Sequence, residues 1–146
     1  MDLKVSFYYL SGIYAIVLVD AEGTLAECKV ASFDSEINEE LPIYRNITLC
    51  KHALVLAKAF IDKHPEYESM SVETSVASLV NRINRGWSSE CTDEFLELFK
   101  VLDSIPVMYS FRVSSHLLAK KYARKRYLPK ETMLSLSEFD DIEDEM

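Results

Sequence analysis

The stretch Asn46–His64, NITLCKHALVLAKAFIDKH, carries the strongest helical pattern in the chain. Its apolar residues recur at i, i+3, i+4 and i+7, which is the spacing of one helix face. The residues on that face are Cys50, Ala53, Leu54, Ala57, Phe60 and Ile61. Three more apolar residues, Leu49, Val55 and Leu56, widen the stripe. We therefore expect a central helix that packs on a sheet and is covered on more than one side.

Strand patterns lie on both sides of this helix. Three segments rich in β-branched and aromatic residues precede it with short turns between them, and two more follow it. The five segments are Lys4–Leu10, Ile13–Val19, Leu25–Phe33, Ser69–Glu73 and Val107–Val113. Further helical patterns cover residues 76–83, 92–102 and 116–128. The predicted order βββ-α-β-α-α-β-α is an α/β fold of the mixed α+β kind, with helices packed on a five-stranded mixed sheet.

Length and composition favour one globular domain. The chain has 146 residues, of which 49% are hydrophobic, enough for a sizeable core. We place the domain at residues 1–130 and an acidic tail at 131–146. Three cysteines, Cys28, Cys50 and Cys91, lack metal-ligand spacing and are interpreted as buried free thiols. Without a signal-peptide pattern or a long apolar segment, we expect a cytoplasmic protein in a reducing compartment, with no membrane contact.

Charge is distributed very unevenly along the chain. The net charge is −8, and residues 131–146 alone contain seven acidic and no basic residues. Residues 104–130 contain seven basic and no acidic residues. A positive block is therefore followed directly by a negative one, which is typical of segments that contact charged partners.

The positive block predicts a nucleic-acid surface on the last helix. Its proposed phosphate contacts are Arg112, Lys120, Lys121, Arg124 and Lys125, because a basic stripe on one helix side is the footprint of a phosphate-backbone binder. Trp87 could add base stacking. The structural alternatives are a solvated helix face for the cations and a core position for Trp87.

The acidic tail carries the predicted partner-binding residues. They are Phe139, Asp140, Asp141, Ile142 and Glu143, which combine two apolar anchors with negative charge. The tail could recruit a basic partner, or it could fold back on the positive block and compete with nucleic acid. A solvated, disordered tail is the third alternative.

The predicted order of strands and helices, together with four short segments, resembles the ribonuclease H family over roughly residues 4–127. The resemblance rests mostly on that order. The four segments are SFYYLSG, NITL, VETSVASLV and HLLAKKYA, in the order in which that family presents its metal-binding segments. The resemblance implies a ribonuclease H-like fold. It also implies that metal-binding carboxylates should stand at Leu10, Leu49, Thr74 (or, with a shift, Glu73) and His116.

These four positions depart from the family pattern. Two-metal hydrolysis needs convergent oxygen ligands, which leucine cannot supply. We therefore expect no catalytic residues, no metal and no cofactor, and an apolar patch where Leu10 and Leu49 face each other. No Gly-rich phosphate loop or catalytic triad motif is present either, since the chain has only three glycines.

Three functional hypotheses follow. The first is a non-catalytic ribonuclease H-like module that acts as a protein-interaction adaptor or inhibitor, a role that would suit a virus or mobile element. The second is a protein that binds duplex or RNA/DNA hybrid through the basic last helix, with the acidic tail as autoinhibitor. The third is a metal-dependent nuclease with relocated ligands, in which Glu73 would be required.

Overall fold

The predicted order of strands and helices is confirmed. The computed structural model of the chain describes residues 1–34, 42–86 and 92–127. The strands are β1 Asp2–Leu10, β2 Ile13–Val19, β3 Leu25–Ser32, β4 Ser69–Thr74 and β5 Met108–Val113. The helices are α1 Pro42–Lys63, α2 Ala77–Arg85, α3 Thr92–Asp103 and α4 Leu118–Tyr127. The boundary predicted at residue 130, the tail 131–146 and Cys91 lie outside the described residues.

The strands form a five-stranded mixed sheet in the order β3-β2-β1-β4-β5. The first three strands make the expected antiparallel meander, while β4 runs parallel to β1 and β5 runs parallel to β4. Asp2 ties the start of β1 to β4, because its carboxylate accepts hydrogen bonds from the Ser69 and Ser71 hydroxyls at 2.7 and 2.9 Å. Strand β1 is thus central, with β2 on one side and β4 on the other.

Helix α1 is the central helix that the sequence pattern predicted. All six residues of the predicted face, from Cys50 to Ile61, are buried, and they pack in one core with inward-facing residues of the sheet such as Phe7 and Ile16. The helix begins at Pro42, before the predicted Asn46. Proline suits the first helical position because its fixed φ is already helical and it has no N–H to leave unpaired.

Helix α4 lies alone on the opposite face of the sheet from the other described helices. It packs on β1 and β2 through Ala119 and Ala123, both fully buried beside Ala15 and Val17. These small side chains let the helix backbone approach the sheet closely. The Ser6 hydroxyl accepts a hydrogen bond from the Ala119 N–H at 3.3 Å, which fixes the first turn.

Two further sequence expectations have different outcomes. Burial raises the pKa of the Cys50 thiol, as expected for a core cysteine, but Cys28 is exposed. The expectation of a buried thiol is wrong there because Cys28 lies on β3, which has only one strand neighbour. None of the helices in the described ranges combines the length and hydrophobicity that crossing a lipid bilayer requires.

Candidate functional site

A pocket of about 180 Å³ lies where β1, β4 and the first turns of α1 meet. Its lining includes Phe7 and Tyr9 from β1, Arg45 and Leu49 from α1, and Thr74 at the end of β4. The structure therefore brings together two of the four positions that the resemblance singled out, Leu49 and Thr74.

The walls of this pocket combine apolar side chains, neutral polar side chains such as Asn46 and Ser75, and one cation, Arg45. Leu49 is only 1% exposed. The Arg45 guanidinium carbon lies 4.6 Å from the centre of the Tyr9 ring, within cation–π range. Thr74 is also only 1% exposed, and its hydroxyl accepts a hydrogen bond from the Val76 N–H at 3.3 Å. The described lining contains no Asp or Glu.

The expected apolar patch formed by Leu10 and Leu49 is wrong. Alternate residues of a strand point to opposite faces of the sheet. Leu10 packs with Ala119 and Ala123 under α4, whereas Leu49 is buried in the core on the α1 face. Tyr9, one residue earlier, is the residue from the end of β1 that reaches the pocket.

Sequence reasoning missed Tyr9 and Arg45, although both had a readable signal. Strict alternation along β1 places Tyr9 on the same face as Phe7, which is buried. Arg45 precedes Leu49 by four residues, and residues separated by one turn share a helix face. The helical pattern in the sequence begins at Asn46, so Arg45 falls outside the predicted helix.

Glu73 and His116 line a different cavity, of about 110 Å³, on the α4 face of the sheet. Lys4 and Ser6 contribute to the same lining. The Glu73 carboxylate lies 3.6 Å from the Arg112 guanidinium. The four positions are thus divided: Leu49 and Thr74 share one pocket, His116 lies beside Glu73 in another, and Leu10 belongs to the packing of α4.

The described residues do not fit a divalent cation of the kind that the resemblance implies. Within residues 1–34, 42–86 and 92–127, no three His, Cys, Asp or Glu side chains form a group that could hold a metal ion. At the pocket itself, Leu49 offers no ligand atom, and the Arg45 cation would oppose a second positive charge.

The predicted nucleic-acid residues are only partly brought together. Lys120, Lys121, Arg124 and Lys125 are all at least partly exposed on α4, and Lys125 lies 5.7 Å from the centre of the Tyr122 ring. Arg112 lies on β5, which is separated from β1 by β4. Trp87 and the tail residues Phe139, Asp140, Asp141, Ile142 and Glu143 lie outside the described residues.

Comparison with solved structures identifies the fold. It is similar to ribonuclease H1 from the halophilic archaeon Halobacterium salinarum NRC-1, with a TM-score of 0.61 and 10% identity over 78% of this chain and 86% of that chain. It is also similar to LC11-RNase H1 in complex with an RNA/DNA hybrid, with a TM-score of 0.59 and 14% identity over 84% and 88% of the two chains.

A viral enzyme contains a similar domain. The foamy viral protease-reverse transcriptase in complex with double-stranded DNA matches with a TM-score of 0.59 and 14% identity, over 80% of this chain but 20% of that chain. No family model and no curated protein sequence matches the chain. The structural similarities show that this chain has a ribonuclease H-like fold, which confirms the predicted fold class.

Proposed function

We propose that this chain is a non-catalytic ribonuclease H-like module that acts by binding another protein, as an adaptor or an inhibitor. The observation that carries the proposal is the contact of Arg45 with Tyr9 in the pocket beside Leu49 and Thr74. The family resemblance implies metal-binding carboxylates in this region. Of the implied positions, Leu49 and Thr74 line this pocket and neither carries a carboxylate, and the neighbouring Arg45 cation disfavours a metal ion, so the pocket is poorly suited to metal-dependent hydrolysis.

The absence of catalysis is tested with the full-length chain and a labelled RNA/DNA hybrid in Mg²⁺ or Mn²⁺. We expect no cleavage above the buffer control at enzyme concentrations where an active ribonuclease H degrades the hybrid completely. Metal-dependent cleavage that co-elutes with the chain and disappears in Thr74→Val or Glu73→Gln would overturn the proposal.

A protein partner is supported by apolar side chains on the described surface. Val55 on α1 and Met108, Tyr109 and Val113 on β5 are exposed, and exposed apolar clusters often mark interaction sites. The test is capture of partners from the native cell with the full-length chain, with and without nuclease treatment. A partner retained after nuclease treatment supports the proposal, whereas loss of all partners would favour the next candidate.

The second candidate is a nucleic-acid binding protein. The cationic side of α4 favours it, and one structural neighbour is described with an RNA/DNA hybrid and another with double-stranded DNA. Four phosphate contacts would make affinity fall steeply with salt. Binding of a labelled hybrid should weaken in a Lys120→Glu and Lys121→Glu double variant, and should strengthen in a full-length chain whose acids at 138–145 are neutralised. No binding by that neutralised chain at low salt would refute this candidate.

The third candidate, a nuclease with relocated ligands, depends on Glu73 and His116. They line one cavity, but Lys4 lines it too and Arg112 pairs with the carboxylate. These cations lower the affinity of the cavity for a divalent metal. Hybrid cleavage that is lost in both Glu73→Gln and His116→Gln would be needed to support it.

A further inference from the structure

A third concave surface lies between the outer side of α1 and the edge strand β3. It is a groove of about 430 Å³, and its lining includes Lys29 from β3 and Lys51, His52, Val55 and Leu56 from α1. Lys29 reaches this side because it pairs with Ile16, an inward-facing residue of the neighbouring strand. The groove lies on the opposite face of the sheet from the basic helix α4.

The wall of the groove is apolar and accessible. Val55 is 59% exposed although it belongs to the wide apolar stripe of α1, and Leu56 packs against the core from the groove side. From Thr48 to Ala59, the helix residues that line the groove span about 16 Å at the rise of an α-helix. That length matches about three turns of a bound helix or about five residues of an extended segment.

The charged side chains that line the groove are basic, although Glu27 lies two residues from Lys29 on the same face of β3, because it pairs with the core residue Leu18. Lys29 and Lys51 line the groove, and its described lining contains no Asp or Glu. Lys51 also forms an ion pair with Glu97 of α3 at 3.1 Å, on the other side of α1, which offsets part of its charge. Burial lowers the pKa of His52, and the charges of Lys29 and Lys51 lower it further.

One end of the groove is held by aromatic contacts. The His52 ring lies 6.2 Å from the Tyr14 ring and 6.3 Å from the Phe33 ring, measured between centroids. The Lys29 ammonium lies 5.9 Å from the centre of the Tyr14 ring. Lys29 and His52 are therefore positioned by packing, and such positioning lowers the entropy lost when a ligand binds.

We propose that this groove binds a short acidic segment of a partner protein that carries two or more large apolar side chains. The apolar side chains would pack against Val55 and Leu56, and the carboxylates would pair with Lys29 and Lys51. This inference rests on the proposed protein-binding function and names the chemistry of its partner. A phosphate backbone is a poorer fit, because Val55, Leu56 and Ala59 in the groove wall offer no cation to a phosphate.

In the test, the full-length chain is used to select binding peptides from a displayed random library. The affinity for a selected peptide is then measured by fluorescence anisotropy. The expected consensus contains two large apolar residues flanked by Asp or Glu. Val55→Ser and Lys29→Glu should each weaken binding at least tenfold. The matched controls Leu96→Ser and Lys100→Glu, both on exposed positions of α3, should change affinity less than twofold.

Three results would overturn the inference: selected peptides without acidic residues, no selectable peptide, or equal affinity for the groove variants and their controls. Zero-length cross-linking of the full-length chain adds a separate check. Links from Lys29 or Lys51 to carboxylates of residues 131–146 of the same molecule would show that the groove takes the chain's own tail and would refute a separate partner. Failure of the inference is distinguishable from failure of the proposed function: nuclease-resistant capture that survives Val55→Ser and Lys29→Glu would refute the groove and leave the protein-binding function supported.

Discussion

Leu10 and Leu49 lie on opposite faces of the sheet. We therefore expect truncations of these two side chains to change the free energy of unfolding independently. Leu49 is 1% exposed in the main core, so Leu49→Ala should lower the free energy of unfolding by about 3 kcal/mol through lost burial and a residual cavity. Leu10 is only partly buried under α4, so Leu10→Ala should cost about 1 kcal/mol.

Because the sheet lies between the two side chains, the double variant should lose the sum, about 4 kcal/mol, to within about 0.5 kcal/mol. The assay is equilibrium unfolding in urea followed by circular dichroism, with all four chains fitted to a common m-value. A positive control pairs Leu49→Ala with Phe7→Leu, since both residues line the same pocket and should show an interaction energy of at least about 0.5 kcal/mol.

An interaction energy above about 1 kcal/mol for Leu10 and Leu49 would refute the placement of these side chains. It would mean that Leu10 and Leu49 contact each other, as expected from the family resemblance. The end of β1 would then have a different register from the one described. Additivity for the control pair would instead show that the assay lacks the precision to decide.

Three further measurements test other parts of the structure. Ala119→Leu or Ala123→Leu should lower the free energy of unfolding by about 1–3 kcal/mol, because the close contact of α4 with the sheet leaves no space for a larger side chain; an unchanged urea midpoint would contradict this packing. The pKa of His52 is lowered by folding, so near the ordinary histidine pKa of about 6.5 the unfolded chain binds more protons than the folded chain. The free energy of unfolding should therefore be greatest above about pH 6.5 and fall as pH drops through the folded pKa. His52→Gln should flatten this part of the pH profile, and the same slope in the variant and the unchanged chain would contradict the expectation. Of the two described thiols, Cys28 should be alkylated in the native chain and Cys50 only after unfolding, as peptide mass spectrometry can measure.

The fold could be predicted because its signals are local and repeated. The apolar stripe from Cys50 to Ile61 predicts a helix, and the turns between the first three strands predict a meander. Both predictions use only the local sequence. The element order then restricts the topology strongly. The sequence pattern starts the central helix at Asn46, because the apolar spacing does not extend to Pro42, where the helix begins.

The candidate site was harder to predict because it combines residues distant in sequence. Alignment with a family motif placed Leu10 at the site, and an error of one residue in a strand moves a side chain to the other face of the sheet. Tyr9 and Arg45 meet only through the packing of α1 on β1. The α1–β3 groove could not be predicted either, because it forms only where α1 packs beside β3. The residues around Lys29 do not indicate which helix lies next to that strand.

The central position of β1 has a consequence for how this chain is made. Asp2 is 67 residues from its partner Ser69, and a ribosome adding about 5–20 residues per second needs about 3–13 seconds to supply them. During that interval the meander can form while one flank of β1 still lacks its neighbour, and unpaired strand edges promote aggregation. A fragment that ends at Lys63 should therefore associate with itself or with chaperones, whereas a fragment extended through Val113 can complete the row of strands.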